Sequence, residues 1–447
     1  MWIFPTIKSW FAGVVQVSPK YIEVNRSNLI ESLSIVNSLR SDLRILSDKV
    51  RPVVEDVRGR GDAALFEYAG RFDGVKLDKH VVSVSTAEME NALHRIGPKL
   101  RKALEKAAIN IRSVAKYQLS RLKFSKKIAP GVEITQRPIP LARVGVYIPG
   151  GAASYPSTAL MTVIPAKVAG VGSVVACTPS DSSGRIPDPV LASLRIAGAD
   201  EVFRVGGPQA IAAMAYGVES IRRVDKIVGP GGAYVTAAKY LVSSDVSVDM
   251  LAGATELVVF ADDVGEAEEV AYELCAQAEH SRDTVVGLVT LKHEVAEEVS
   301  KYMGLIAARM DRSAIVSEAW DRNGFTAVCD SLSTAADFIN GLAPEHLAVL
   351  SSKQRKLVQK IVNAGLISVG RYTSPVLCDY VVGVNHVLPT HGYARVRSGL
   401  GVHDFVKLVF EVKVSKGAAA RLGRTAAIIA RTEGLSGHAA SAERWSK

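Results

Sequence analysis

Cysteine is scarce in this chain: Cys177, Cys275, Cys329 and Cys378 are the only four in 447 residues, each tens of residues from the next. That spacing excludes a CxxC redox pair and a cysteine-type zinc knuckle, and it suits buried thiols in a reducing compartment. Long apolar runs are also missing. None reaches the length of a membrane span, and the apolar start MWIFP meets Lys8 too early to form a signal-peptide core. A soluble cytoplasmic protein with no membrane partner is therefore expected. The GxGxxG dinucleotide fingerprint does not occur. Histidine appears only nine times, so the placement of each one can be weighed.

What is present is enough apolar material, 48% of the residues, to bury the cores of two or three domains. The formal charge of +9 raises nucleic acid as a partner, and the densest basic run is Arg112 to Lys127. There the basic residues recur at near-helical spacing with Ile111, Val114, Ala115, Leu119 and Leu122 between them, as on a solvated helix face. No nucleic-acid motif accompanies the run, and no nucleic-acid partner is expected.

Residues 1–28 read as an arm, and the pattern from Arg26 to Lys127 is helical, with apolar residues three and four apart. At Arg143 the period changes. The strands RVGVYIPGG, SVVACTP, EVFRVGG and KIVGPGG alternate with helices as far as about residue 243, which calls for a parallel sheet covered by helices. Glycines close these strands, where a backbone approaches a phosphate or simply turns tightly; spacing alone leaves both readings open. A second αβ region runs from TELVVFADD at Thr255 to LISVG. The expected fold class is thus α/β: two Rossmann-like αβα domains with parallel sheets, a helical N-terminal lead-in and a small C-terminal arm or tail. The expected division is 29–140 with 251–376, then 141–250, then a C-terminal region 377–447 rich in loops.

Two stretches carry chemistry. In NGLAPEHL, Asn340 to Leu347, Gly341 suits the position just past a helix, Pro344 cannot continue one, and Glu345 and His346 then enter an apolar strand. A carboxylate beside an imidazole at such a boundary suits proton transfer, although a pair of this kind is more often a solvated turn. Farther back, Gln277 and His280 lie three apart at a helix end, so both reach one point. Asp379 and His438 would complete a four-ligand N/O site of the kind zinc accepts, although a surface histidine without such a role is the commoner case.

Together RVGVYIPGG, PAKVAGV, VGGPQAIAAMAYG, VDKIVGPG, AQAEH, LAPEHL, DYVVGVNHVLPT and EGLSGHAAS resemble the histidinol dehydrogenase family, through most of the chain. The resemblance implies oxidation of L-histidinol by way of L-histidinal to L-histidine, with two NAD and one zinc ion per chain. It implies Gln277, His280, Asp379 and His438 as zinc ligands that also meet substrate, and Glu345 and His346 as the acid/base pair. It implies contacts to NAD from Tyr147 and Gln209, and to substrate from His346, Thr255, His386 and Glu433. It also implies an intertwined homodimer whose C-terminal tail reaches the neighbouring site. Two positions depart from the family pattern: Gly232 stands where an Asn usually contacts NAD, and Thr255 stands where a Ser usually helps hold substrate. Rival readings are a related zinc- and NAD-dependent dehydrogenase of another small polar alcohol, such as a sulfonated diol, and a non-enzymatic basic binding module.

Overall fold

The computed structural model describes residues 19–40, 43–150, 154–251 and 253–445. Two six-stranded sheets organise it, each covered by helices on both faces. The first runs in the order Lys20–Val24, Phe325–Cys329, Val285–Thr290, Glu256–Ala261, His346–Leu350, Leu366–Val369, with every neighbouring pair parallel. The second runs Ser83–Val84, Glu201–Phe203, Ser173–Cys177, Arg143–Tyr147, Lys226–Val228, Ser247–Val248, parallel throughout except at its first, two-residue strand. These strands are continuous apolar runs because parallel strands are buried on both faces. Apart from the edge strands Lys20–Val24 and Ser83–Val84, which come first in the chain, each sheet starts near its middle, builds outward in one direction and then resumes on the other side. Each therefore has a switch point where consecutive crossovers diverge.

Three features differ from the sequence reading. The expected arm at 1–28 lies outside the described residues up to residue 18, but Lys20–Val24 is the edge strand of the first sheet, paired with Phe325–Cys329. The lead-in does not go as a block with the first sheet. Only helix Leu29–Asn37 packs there, through Val36 against Phe338 and its neighbours. Helices Leu43–Arg60 and Asp62–Asp73 bury Val50, Val54, Val57, Leu65 and Ala69 against Tyr147, Cys177 and Ile227 on one face of the second sheet. Helices Thr86–Arg95 and Pro98–Arg121 cover its other face through Met89, Leu104 and Ile111. Helical periodicity shows that a face is buried, not which sheet covers it. The same periodicity places the first part of the basic run, up to Arg121, where Ile111 and Ala115 point inward and Lys116 outward; its end, Phe124 to Lys127, is not helix but part of the exposed strand Phe124–Ala129.

The C-terminal region is also more regular than its loop-rich composition implies. Strand Val406–Val414 joins Val132–Pro140 and Phe124–Ala129 in a three-stranded antiparallel sheet. The tail around His438 is a helix, Ser436–Arg444, folded back on helix Lys416–Thr432 through Ala427, Ala430 and Ala439. Its alanines favour helix, and Gly434, with φ of 76°, makes the turn between the two. Among the described residues no helix is long and apolar enough to cross a membrane.

One glycine in the first sheet shows how tightly the core is set. Gly287 lies opposite Phe325 on the next strand, and a Cβ there would meet the fully buried Phe325 ring at 2.1–2.5 Å. The ring is itself held edge-on to Phe338, with centroids 6.2 Å apart. Gly287→Ala should therefore destabilise the protein by about 1–3 kcal/mol, the usual cost of overpacking. Urea unfolding checks this; a loss under about 0.5 kcal/mol would show that the ring has room to move.

Candidate active site

The candidate acid/base pair sits where the first sheet switches direction, at the amino ends of its strands. Helix Leu332–Leu342 begins at Ser331, whose hydroxyl accepts from the Thr334 N–H at 3.1 Å. It ends when Ala343 turns into the left-handed region at φ 48°. That turn belongs to Ala343 and not to Gly341, which lies inside the helix with Leu33 packed 2.5 Å from where a Cβ would be. Pro344 then stops the helix, and Glu345 leads into strand His346–Leu350. Leu257 is the cross-strand partner of His346, so the residues before the two strands meet.

Glu345 is buried, and its Oε2 accepts both the Thr255 hydroxyl at 2.5 Å and the Glu256 backbone N–H at 2.8 Å. Burial pushes its carboxyl well above the usual range; the two bonds oppose this, and the Glu256 and Asp379 charges add to it. The Thr255 hydroxyl in turn accepts from Gln277 Nε2 at 2.7 Å. Gln277 closes helix Ala267–Ala278, as the helical spacing implies, with His280 just beyond it.

His346 is buried as well, with its Nε2 3.7 Å from Asp379 Oδ1 and its Nδ1 without a hydrogen-bond partner. Burial, with the nearby His386 and His280 charges, depresses His346 to about 3, so its imidazole is neutral at pH 7. His386 donates to or accepts from Thr158 Oγ1 at 3.3 Å through Nε2, and its Nδ1 meets the Asp379 carbonyl at 2.8 Å. Burial brings His386 down to about 4, and burial also lowers His280. Among the described residues the buried Asp379 Oδ1 has no hydrogen-bond partner, and burial pushes its carboxyl up to about 7, with the Glu273 charge adding to it. Thr255, Gln277, His280, Glu345, His346, Asp379 and His386 thus form one polar cluster inside a single chain.

Glu433 and His438 do not join it. Both are exposed on the C-terminal helix pair. Tyr147 and Gln209 belong to the second sheet, where Tyr147 ends a strand at the switch point and takes the Gly207 N–H on its hydroxyl at 3.0 Å. Burial raises the Tyr147 phenol. Gln209 is fully buried, with Oε1 unpartnered and Nε2 3.5 Å from Asp73. Tyr147, Gly150, Thr178, Asp181, Gly207 and Asp73 line a cleft of about 850 Å³ at the carboxyl ends of these strands. Gly232, exposed, caps the helix Ala233–Val242 with φ −63° and open space beside it, so a side chain fits there without strain. The units meet through Asn385, which donates to the Met161 carbonyl at 2.7 Å, and through His386 at Thr158.

Sequence reasoning missed three contributors. Asp73, at the end of helix Asp62–Asp73, enters the cleft from the lead-in, and burial raises its carboxyl. Arg40 pairs with the buried Glu256 at 2.8 Å. Gly365 passes so close that a Cβ would lie 2.6 Å from the Glu345 carbonyl. None has a local signal, since each acts through a contact remote in sequence.

A cleft at the carboxyl edge of one parallel sheet and a buried carboxylate–imidazole pair on another are the architecture of an α/β enzyme. The family model described as histidinol dehydrogenase matches residues 37–445. The histidinol dehydrogenase of Methanosarcina mazei is 44% identical over 90% of this chain and 92% of its own length. That of Methanopyrus kandleri is 46% identical over 87% and 91%. The crystal structure of the Elizabethkingia anophelis histidinol dehydrogenase superposes with a TM-score of 0.88 at 32% identity, covering 96% of this chain and 98% of that one. The chain belongs to the histidinol dehydrogenase family.

The Thr255 hydroxyl is the junction on which the buried carboxylate depends. Thr255→Val removes one hydrogen bond to a charged group, worth about 1.5–3 kcal/mol. Because that bond favours the ionised form, the Glu345 carboxyl should rise further, and the acidic limb of the pH–rate profile should move to higher pH. Thr255→Ser should leave the limb in place. An unmoved limb in Thr255→Val would show that the hydroxyl does not tune Glu345.

Proposed function

We propose that this protein oxidises L-histidinol to L-histidinal and then to L-histidine, using NAD twice and one zinc ion per chain, as a cytoplasmic homodimer. The observation that carries the reading is the Glu345–His346 cluster in a chain that belongs to this family. A buried carboxylate oxygen without a partner is costly, and Asp379 Oδ1 is in that state. A cation relieves it, and Gln277 and His280 supply the oxygen and nitrogen donors zinc accepts; His438 is the fourth ligand. When bound, zinc holds and orients the substrate, and NAD takes a hydride at each oxidation.

The residues of the chain move the protons. His346, neutral by burial, accepts the proton of the substrate hydroxyl in the first oxidation. Both described bonds to Glu345 fall on Oε2, which leaves Oε1 to take a proton from the water that adds to the aldehyde. The hydrated aldehyde then loses a hydroxyl proton to His346 in the second oxidation. Tyr147, Gln209 and Asp73 line the cleft that takes NAD, while Gly232 adds no side-chain contact to it. Thr255 and His386 border the substrate.

The exposed Glu433 and His438 support a site shared between protomers. So do the apolar residues of the same region, Phe410, Val412, Ile428 and Ile429, all more than half exposed. In such a dimer the C-terminal helices of one subunit deliver Glu433 to the substrate and His438 to the metal of the other.

The basic test is NADH formation from L-histidinol by zinc-loaded protein; oxidation of a sulfonated diol in its place would favour the related-dehydrogenase reading. The step assignment makes a sharper demand. His346→Asn should slow both oxidations by roughly 10²- to 10⁴-fold. Glu345→Gln should spare single-turnover oxidation of the alcohol and slow that of supplied aldehyde. Equal losses at both steps would make the pair a single unit.

The shared site is tested by mixing two inactive variants, His346→Asn and His438→Ala. If the tail acts in trans, half the dimers are mixed and each keeps one intact site, restoring roughly a quarter of wild-type activity. No recovery after subunit exchange, verified by mass spectrometry, would place the tail on its own subunit's site. Zinc content should drop in both His280→Ala and His438→Ala, since loss of a ligand undoes such a site.

A further inference from the structure

At the switch point of the second sheet, two charged side chains are buried together. Lys239 and Asp249 are each about 1% exposed and form a direct ion pair. A buried pair of this kind is weak evidence for stability, because the desolvation of both ions offsets their attraction. The remaining hydrogen bonds show where the pair acts. Asp249 Oδ2 accepts the Gly229 N–H at 2.7 Å, and Lys239 Nζ donates to the Gly229 carbonyl at 3.0 Å. Both polar backbone atoms of one glycine are thus held by charged side chains.

Gly229 needs this control. Its φ is 112°, a conformation open to glycine, and a Cβ would sit 2.2 Å from the Tyr147 carbonyl oxygen. It opens the turn Gly229-Pro230-Gly231-Gly232, which leads into helix Ala233–Val242, and three glycines in four residues leave that turn little stiffness of its own. Asp249 is anchored independently: its Oδ1 takes the Met250 N–H at 2.6 Å, its N–H donates to the Ile227 carbonyl at 3.1 Å, and its carbonyl accepts from Arg397. The turn is therefore fixed from the interior of the sheet, against the backbone of the residue that lines the cleft.

We propose that Lys239 and Asp249 are positioning residues for NAD: the pair holds the Gly229–Gly232 turn and the Tyr147 backbone in the shape that binds the dinucleotide. This rests on the reading that the cleft takes NAD. A turn released from the clamp must be ordered again on binding, at about 1–2 kcal/mol per residue, so freeing one residue weakens NAD roughly five- to thirtyfold.

The test separates positioning from mere support. Lys239→Met alone leaves a buried, unpaired carboxylate and should lower both the melting temperature and NAD affinity. Lys239→Met combined with Asp249→Asn is neutral and close in volume, so the melting temperature should recover most of the loss. Calorimetric titration of the zinc-loaded double variant should still show NAD binding weakened by that factor. Its KM for NAD should rise in step, with kcat at saturating NAD and L-histidinol affinity unchanged. If NAD affinity returns to the wild-type value along with stability, the pair is only structural and the proposal falls. Failure of the NAD reading appears elsewhere, as a wild-type protein that does not bind NAD, and it takes this proposal with it.

Discussion

One buried oxygen, Glu345 Oε2, sets conditions that much of the first unit has to meet. A carboxylate away from water must be given donors, and these come from Thr255 and from the Glu256 N–H on the neighbouring strand. Glu256 is then buried too and needs its own partner, which Arg40 provides from the end of the lead-in's first helix. The same guanidinium donates to the Leu342 carbonyl at 3.0 Å. It so satisfies one of the orphan carbonyls left where the helix stops before Ala343. The two segments that frame the acid/base pair are thus tied to one cation, and Gly365 is kept small so that the Glu345 backbone has room.

The two sheets share a build, with a central strand, two strands on one side and a reversal to the other, yet they are used at opposite ends. In the second, the cleft lies beyond the carboxyl ends, where parallel sheets usually bind ligands. In the first, the polar cluster lies at the amino ends, between Thr255 and Glu345. The loop through Asn385 and His386 closes the gap by bonding to helix Pro156–Ala169 of the second unit. The cleft and the Glu345–His346 cluster thus belong to unlike ends of like sheets.

Among the described residues, three of the buried polar atoms without a hydrogen bond lie near the two candidate sites: Asp379 Oδ1 and His346 Nδ1 in the polar cluster of the first unit, and Gln209 Oε1 beside the cleft of the second. Buried polar groups are nearly always paired in folded proteins, so such exceptions are places where a bound group can complete the bonding.

The sequence by itself determined the two α/β units, the alternation of strands and helices from Arg143 onward, and the helix stop that places Glu345 and His346 at a strand entrance. These follow from local rules of side-chain period, proline geometry and the apolar runs of buried parallel strands. The placement of Gln277 and His280 at one helix end was legible for the same reason, because helical spacing is local. Tertiary structure decided the rest. It placed the left-handed turn at Ala343 and not at Gly341, whose missing side chain makes room for Leu33 instead. It put the lead-in helices after Leu29–Asn37 on the second sheet and brought Asp73, Arg40 and Gly365 to sites that lie far from them in the chain. It also turned the tail into a helix that holds His438 in solvent, with Glu433 exposed at the end of the helix before it. Which buried face meets which sheet depends on shape and volume summed over distant segments, and no window of the sequence contains that information.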